Sequence, residues 1–242
     1  GSPTVFDHLR ENQIPYYLSD WRRPEHENLT SLHAALGKGV ISFAYLYLAA
    51  LDGDLHAHGT MSSIVTKKIE WYDQQLRKVI ETANSHYDPV RLHIFSDHGM
   101  TNITSKSDLL PKIFALDLEF GEDYVAVFDS TMIRFWFLKN GAEEKIIDVL
   151  DKDTSGHILS NRELEDYGCL FPDQKYGELF FLADPGVLIC PSFMGETMMA
   201  GMHGYDPGHK DSVAMFASNT TPNPMPEGLA DLYTLMMMEA DI

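Results

Sequence analysis

Three short stretches of the chain carry side chains that bind cations: Asp52-Gly53-Asp54-Leu55-His56, Asp97-His98 and His203-Gly204-Tyr205. The residues of interest are Asp52, His56, Asp97, His98 and His203. Imidazole nitrogen and carboxylate oxygen are ligands for Zn²⁺ or Mn²⁺. A catalytic ion takes a few protein ligands and keeps a position open for water or substrate. This set is enough for one three-ligand site and part of a second. Two such ions roughly 3.5–4 Å apart can clamp the attacking and leaving oxygens of a phosphoryl transfer. Each stretch alone is weak evidence, because an Asp-His pair can cap a strand and loop histidines are commonly solvated. His58 competes with His56, but the Asp-x-x-x-His spacing favours His56 and leaves His58 either to support a ligand from behind or to face the substrate. Asp54 reads as a solvated loop acid. The remaining histidines, at positions 8, 26, 33, 86, 93, 157 and 209, are given no role.

These residues need elements to position them. The apolar run Val90 to Phe95 has the length of a buried strand, and Asp97-His98 falls where the chain leaves it. In α/β sheets chemistry collects at strand ends. A second apolar run, Val40 to Leu48, predicts a strand covered on both faces that leads into the Asp52 stretch. A long helix is expected from Met61 to Thr82, with Ile64, Ile69, Leu76, Val79 and Ile80 as its apolar face. The His203 loop is bounded by Gly201 and Gly204 and precedes a strand expected at Val213 to Phe216. Upstream, the pattern gives a helix at Val5 to Asn12, a strand at Pro15 to Leu18 and a helix at Asn28 to Leu36.

Further along, a helix is expected at Asp108 to Leu116, and then the character changes. Strands at Tyr124 to Phe128 and Met132 to Leu138 flank a turn, followed by helices at Glu143 to Leu150 and Asn161 to Tyr167. This block, residues 123–175, reads as a small α+β cap inserted into an α/β core made of residues 1–122 and 176–242. Phe135, Trp136 and Phe137 read as packing within it. Strands at Leu179 to Leu182 and Val187 to Ile189 return the chain to a sheet. A helix from Leu229 to Met238 closes it, its Met-rich end read as packing.

The bulk numbers narrow the partners. The formal net charge of the 242 residues is −18, from 36 acids against 18 Lys and Arg. Such a chain has no general affinity for nucleic-acid polymers or anionic membrane, so a phosphate-bearing substrate must be drawn by bound cations. Hydrophobic residues make up 44% and charged residues 22%, as in a globular domain with a core of its own. No run of 18 apolar residues suggests a membrane span, and the chain as given is expected to be soluble, with a cytoplasmic setting favoured. Cys169 and Cys190 read as reduced thiols, with a single disulfide as the alternative. Gly1-Ser2 has the look of a tag remnant. Oligomeric state is left open.

With the motifs in hand, the chain resembles a known family. Asp52-Gly53-Asp54-Leu55-His56-Ala57-His58-Gly59, Ser96-Asp97-His98-Gly99-Met100 and Met202-His203-Gly204-Tyr205-Asp206 are similar in order and separation to the metal motifs of the alkaline phosphatase superfamily. The nearest likeness is to its nucleotide pyrophosphatase/phosphodiesterase branch, from about Phe6 to the last helix. The resemblance implies a three-layer α/β sandwich with a mostly parallel sheet and a small inserted cap. It implies two divalent ions, Zn²⁺ first and Mn²⁺ or Fe as alternatives. Asp52, His56 and His203 would hold one ion, and Asp97 and His98 the other. It also implies a small phosphoester substrate, cleaved by a covalent hydroxyl nucleophile. The family's nucleophile and a further aspartate lie N-terminal to the equivalent of Phe6, so the chain is expected to be the C-terminal two-thirds of a catalytic domain. Ser2 and Thr4 are not assigned that role. The alternatives are a metal-binding scaffold without catalysis, or a superfamily relative acting on phosphonates, sulfate esters or phosphosugars.

Overall fold

A computed structural model describes residues 2–242. Thr4 opens the first helix, α1 (Val5–Glu11). Its hydroxyl accepts the Asp7 N–H at 3.2 Å, and the Asp7 carboxylate accepts the Thr4 N–H at 2.8 Å. This reciprocal cap satisfies two donors that a helix start leaves without partners. The chain continues through β1 (Tyr16–Leu18), α2 (Glu25–Leu36) and β2 (Phe43–Tyr45) to α3 (Ala50–His58) and α4 (Ser63–Asn84). Next come β3 (His93–Phe95), β4 (Thr101–Asn102), β5 (Ser105–Ser107) and α5 (Leu109–Phe114). Then follow β6 (Tyr124–Phe128), β7 (Met132–Phe137), α6 (Ala142–Leu150), β8 (Gly156–Ile158) and α7 (Asn161–Asp166). The last elements are β9 (Leu179–Ala183), β10 (Val187–Ile189), β11 (Gly201–Met202), β12 (Phe216–Ser218) and α8 (Leu229–Glu239).

These elements form two compact units. The first comprises Gly1–Gly53, Ser63–Asp97 and Met215–Ile242, and the second Asp54–Ser62 and His98–Ala214. In the first, β1 pairs with β2 in parallel and β3 pairs with β12 antiparallel. Leu29, Leu32 and Leu36 of α2 pack on Val79 and Ala83 of α4. Leu9 and Val5 of α1 pack with Ala240, Met236 and Met237 of the last helix region, whereas Met238 is exposed, so the Met-rich end packs in part. The buried residues of α4 are Val65, Val79 and Ala83, whereas Ile64 and Ile69 are exposed. The apolar face read from the sequence is therefore rotated by about one residue at the helix start.

The second unit holds a four-stranded antiparallel sheet in the order β6-β7-β9-β8. Its core, Tyr124, Phe128, Ile133, Phe135 and Phe181, is fully buried against Leu109, Ile113 and Ile146 from α5 and α6. Phe135 packs as the sequence suggested. β9 adds to this antiparallel sheet. β5 pairs with β10 in parallel, and β4 with β11 antiparallel. Cys169 and Cys190 are free thiols. Among the described residues no helix is long and apolar enough to cross a membrane.

Candidate metal centre

The β4–β11 ladder is short but does the positioning. Its antiparallel register sets Met202 opposite Thr101 and Gly201 opposite Asn102. Continued by one residue, the same register sets His203 opposite Met100, beside His98. The two imidazoles stack with centroids 3.6 Å apart and 20° between planes. The C-terminal end of α3 is stitched to the same place: Ala200 N–H donates to His56 O at 2.8 Å, and His56 Nδ1 lies 2.8 Å from Gly201 O. The His56 ring thereby stands 5.1 Å, centroid to centroid, from that of His203.

A carbonyl oxygen can only accept, so the Nδ1 of His56 carries a proton, and in the neutral ring Nε2 keeps the lone pair. The same holds for His98, whose Nδ1 lies 2.8 Å from Gly99 O. Backbone carbonyls bonded to the far ring nitrogen are the usual support of a metal-binding histidine, because they fix tautomer and ring orientation. Three half-buried imidazoles, two held in this tautomer, suit a divalent ion.

Two glycines permit the approach. A Cβ on Gly99 would stand 2.1 Å from Asp211 O, where the returning chain crosses and Gly99 N–H donates to Ser212 O. A Cβ on Gly201 would stand 2.7 Å from Leu55 O of α3 and 3.1 Å from Met100 Sδ. Beyond His203, Thr131 Oγ1 donates to Gly204 O at 2.9 Å, and the Tyr205 hydroxyl donates to Val187 O at 2.9 Å. Burial pushes the Tyr205 phenol well above its usual range, so it remains a donor at neutral pH. Tyr205 shapes the loop, as the sequence suggested.

Asp52 lies in α3 one turn before His56, so the two share a helix face. His58, two residues further, is exposed and lies about 200° around the helix from His56. Asp97 directly precedes His98. In the first unit, Ser96 is held by Met215 through backbone and side chain: its N–H donates to Met215 O at 3.0 Å, and its hydroxyl accepts the Met215 N–H at 2.8 Å. Burial pushes the Tyr45 phenol up, with Tyr47 and the charge of Asp97 adding to the effect. Thr131, the carbonyls of Gly99 and Gly201, and the helical state of α3 were not foreseen from the sequence. Only the last carried a signal, the four-residue spacing of Asp52 and His56.

A sequence model of the type I phosphodiesterase / nucleotide pyrophosphatase family matches residues 5–206. No curated protein matches the sequence. Among solved structures, murine ectonucleotide pyrophosphatase / phosphodiesterase 5 is 20% identical with a TM-score of 0.73, over 94% of this chain and 62% of that one. The human counterpart is 17% identical with a TM-score of 0.78, over 100% of this chain and 70% of that one. Phosphonoacetate hydrolase from Sinorhizobium meliloti 1021, in complex with phosphonoformate, is 11% identical with a TM-score of 0.61, over 88% and 56% of the two chains. The chain thus spans 62% of the length of the murine relative. These likenesses establish a shared α/β fold.

Proposed function

Because the chain belongs to the type I phosphodiesterase / nucleotide pyrophosphatase family, with the α/β fold of the alkaline phosphatase superfamily, we propose that it is the metal-binding part of a phosphoester hydrolase. Its substrates in this reading are phosphodiesters, pyrophosphates or related small phosphoesters. The observation that carries it is the meeting of His56, His98 and His203, two of them with Nδ1 committed to backbone carbonyls.

Asp52, His56 and His203 hold one divalent ion and Asp97 and His98 the other, with Zn²⁺ as the metal and Mn²⁺ or Fe as alternatives. When bound, the ions supply Lewis acidity to the phosphoryl oxygens and lower the pKa of an attacking hydroxyl. The protein's part is positional. His56 and His98 present Nε2 lone pairs in fixed orientation, and the two aspartates add negative charge that holds cations within a strongly acidic chain. The Thr131 and Tyr205 hydrogen bonds hold the His203 loop still.

The attacking hydroxyl is assigned to a Thr or Ser of the family segment preceding the equivalent of Phe6, and not to Ser2 or Thr4. Thr4 is engaged in capping α1. An inactive threonine-to-alanine variant of the murine relative is in complex with AMP, which supports a nucleotide-type phosphoester as the substrate class. The net charge of −18 supports a small substrate over a nucleic-acid polymer. Residues 123–175 belong to an inserted cap in this reading, whose sheet β9 completes, and residues 1–122 with the rest of 176–242 form the metal-binding core.

The test is hydrolysis of bis-p-nitrophenyl phosphate by a form of the protein that includes the family's nucleophile segment, loaded with Zn²⁺ or Mn²⁺. Turnover is expected, is abolished by chelator, and falls by about 100-fold or more in His203→Ala. Turnover that survives chelator, or is confined to sulfate esters or phosphonates, contradicts the proposal.

A further inference from the structure

Helix α3 carries Asp52 and His56. Ala49 stands before it and has no side-chain acceptor for the first N–H groups. The acceptors come instead from two other helices of the same compact unit. Glu25, the first residue of α2, accepts the Ala50 N–H on Oε1 at 2.9 Å. Tyr72 of α4 takes the next one, its hydroxyl oxygen accepting the Leu51 N–H at 3.2 Å. The Tyr72 hydroxyl donates in turn to Glu25 Oε1 at 2.5 Å. Lys68, one turn before Tyr72 on α4, donates to Glu25 Oε2 at 2.9 Å. Its ammonium also lies over the rings of Trp71 and Tyr72, at 5.1 and 5.3 Å. Both oxygens of the carboxylate are therefore committed, and its side chain is only 12% exposed.

We infer that Glu25 is a positioning residue for Asp52. Its carboxylate, oriented by Lys68 and Tyr72, caps the first turn of α3 and so fixes the turn that presents Asp52. A carboxylate at a helix N-terminus meets both the unmatched N–H groups and the positive end of the helix dipole. Asp52 lies one residue beyond the second capped amide, so any fraying of that turn reaches it first. The inference rests on the proposed function, in which Asp52 and His56 are ligands.

The experiment uses the whole chain and two variants, Glu25→Ala and Tyr72→Phe, with Co²⁺ as a spectroscopic probe of the site. Amide exchange at Ala50 and Leu51 is followed in parallel. In Glu25→Ala the exchange at both amides is expected to rise about tenfold or more, and Co²⁺ affinity to fall about 10- to 100-fold with a changed visible spectrum. Tyr72→Phe keeps the ring but not the hydroxyl, and is expected to accelerate Leu51 exchange with a smaller loss of affinity. Glu25→Gln retains an acceptor oxygen and should restore part of both readouts, which lost packing alone would not predict. Folded variants that bind Co²⁺ with wild-type affinity and spectrum overturn the positioning role, as does unchanged exchange at Ala50 and Leu51. A wild-type chain that takes up no Co²⁺ is a different failure, of the ligand assignment itself, and the inference falls with it.

Discussion

His98 and His203 stack ring on ring at 3.6 Å, although one follows β3 and the other sits in the loop after β11. A two-residue ladder would not hold two imidazoles at that distance unaided. The carbonyl of Gly99 on one side and the Thr131–Gly204 bond on the other add restraint.

The crossing at Gly99 is the least tolerant contact near the centre. A Cβ there would stand 2.1 Å from Asp211 O, so Gly99→Ala must move either the 211–213 segment or the residue after His98. Overpacking of this kind costs about 1–3 kcal/mol. The variant is expected to show a lower Tm and weakened metal binding together. An unchanged Tm would mean that the crossing is loose.

Asp52 and His56 occupy one face of α3, one turn apart. Asp52→Asn keeps the shape and removes the charge, and should lower metal affinity by about 10- to 100-fold with little change in Tm. Zn²⁺ titration calorimetry reads the first, and thermal unfolding the second. Full affinity in Asp52→Asn would remove this residue from the ligand set.

The α1 cap gives a pH dependence of known sign. Hydrogen bonds from the Thr4 hydroxyl and the Thr4 N–H, with a further one from Arg10, hold the Asp7 carboxyl at about 2 rather than 3.8. Because the folded-state value is depressed, the unfolded chain takes up the proton first. The cap's contribution is whole above pH 3.8 and is lost as pH falls toward 2. Amide exchange in α1 should therefore accelerate in that window. Asp7→Asn should show the faster exchange already at pH 5, and no acceleration in wild type would contradict the cap.

The sequence revealed the candidate ligands more fully than the elements that hold them. His56, His98 and His203 were legible because few residue types bind cations and the motifs fall in a set order. The helical state of α3 was obscured by the apolar run Val40 to Leu48, which suggested a longer strand than Phe43–Tyr45. Its cap comes from Glu25 and Tyr72, distant in sequence, so no local signal marks its start. α2 begins at Glu25, before the expected Asn28, because Pro24 fits a helix start. The strand expected at Val213 to Phe216 pairs only from Phe216 to Ser218, since Met215 is engaged by Ser96 and the chain before it crosses Gly99. β9 was foreseen as a strand, but an apolar run does not reveal its partner, and it joined the antiparallel sheet.

In the proposed function the chain holds divalent cations through His56, His98, His203, Asp52 and Asp97. Zinc content per chain, measured by elemental analysis after loading and exhaustive dialysis, tests it most directly in wild type and in His203→Ala. Zinc is expected to be retained in the wild-type chain and lost from the variant, with both proteins folded. Zinc-free wild type, or equal zinc in both, would contradict it.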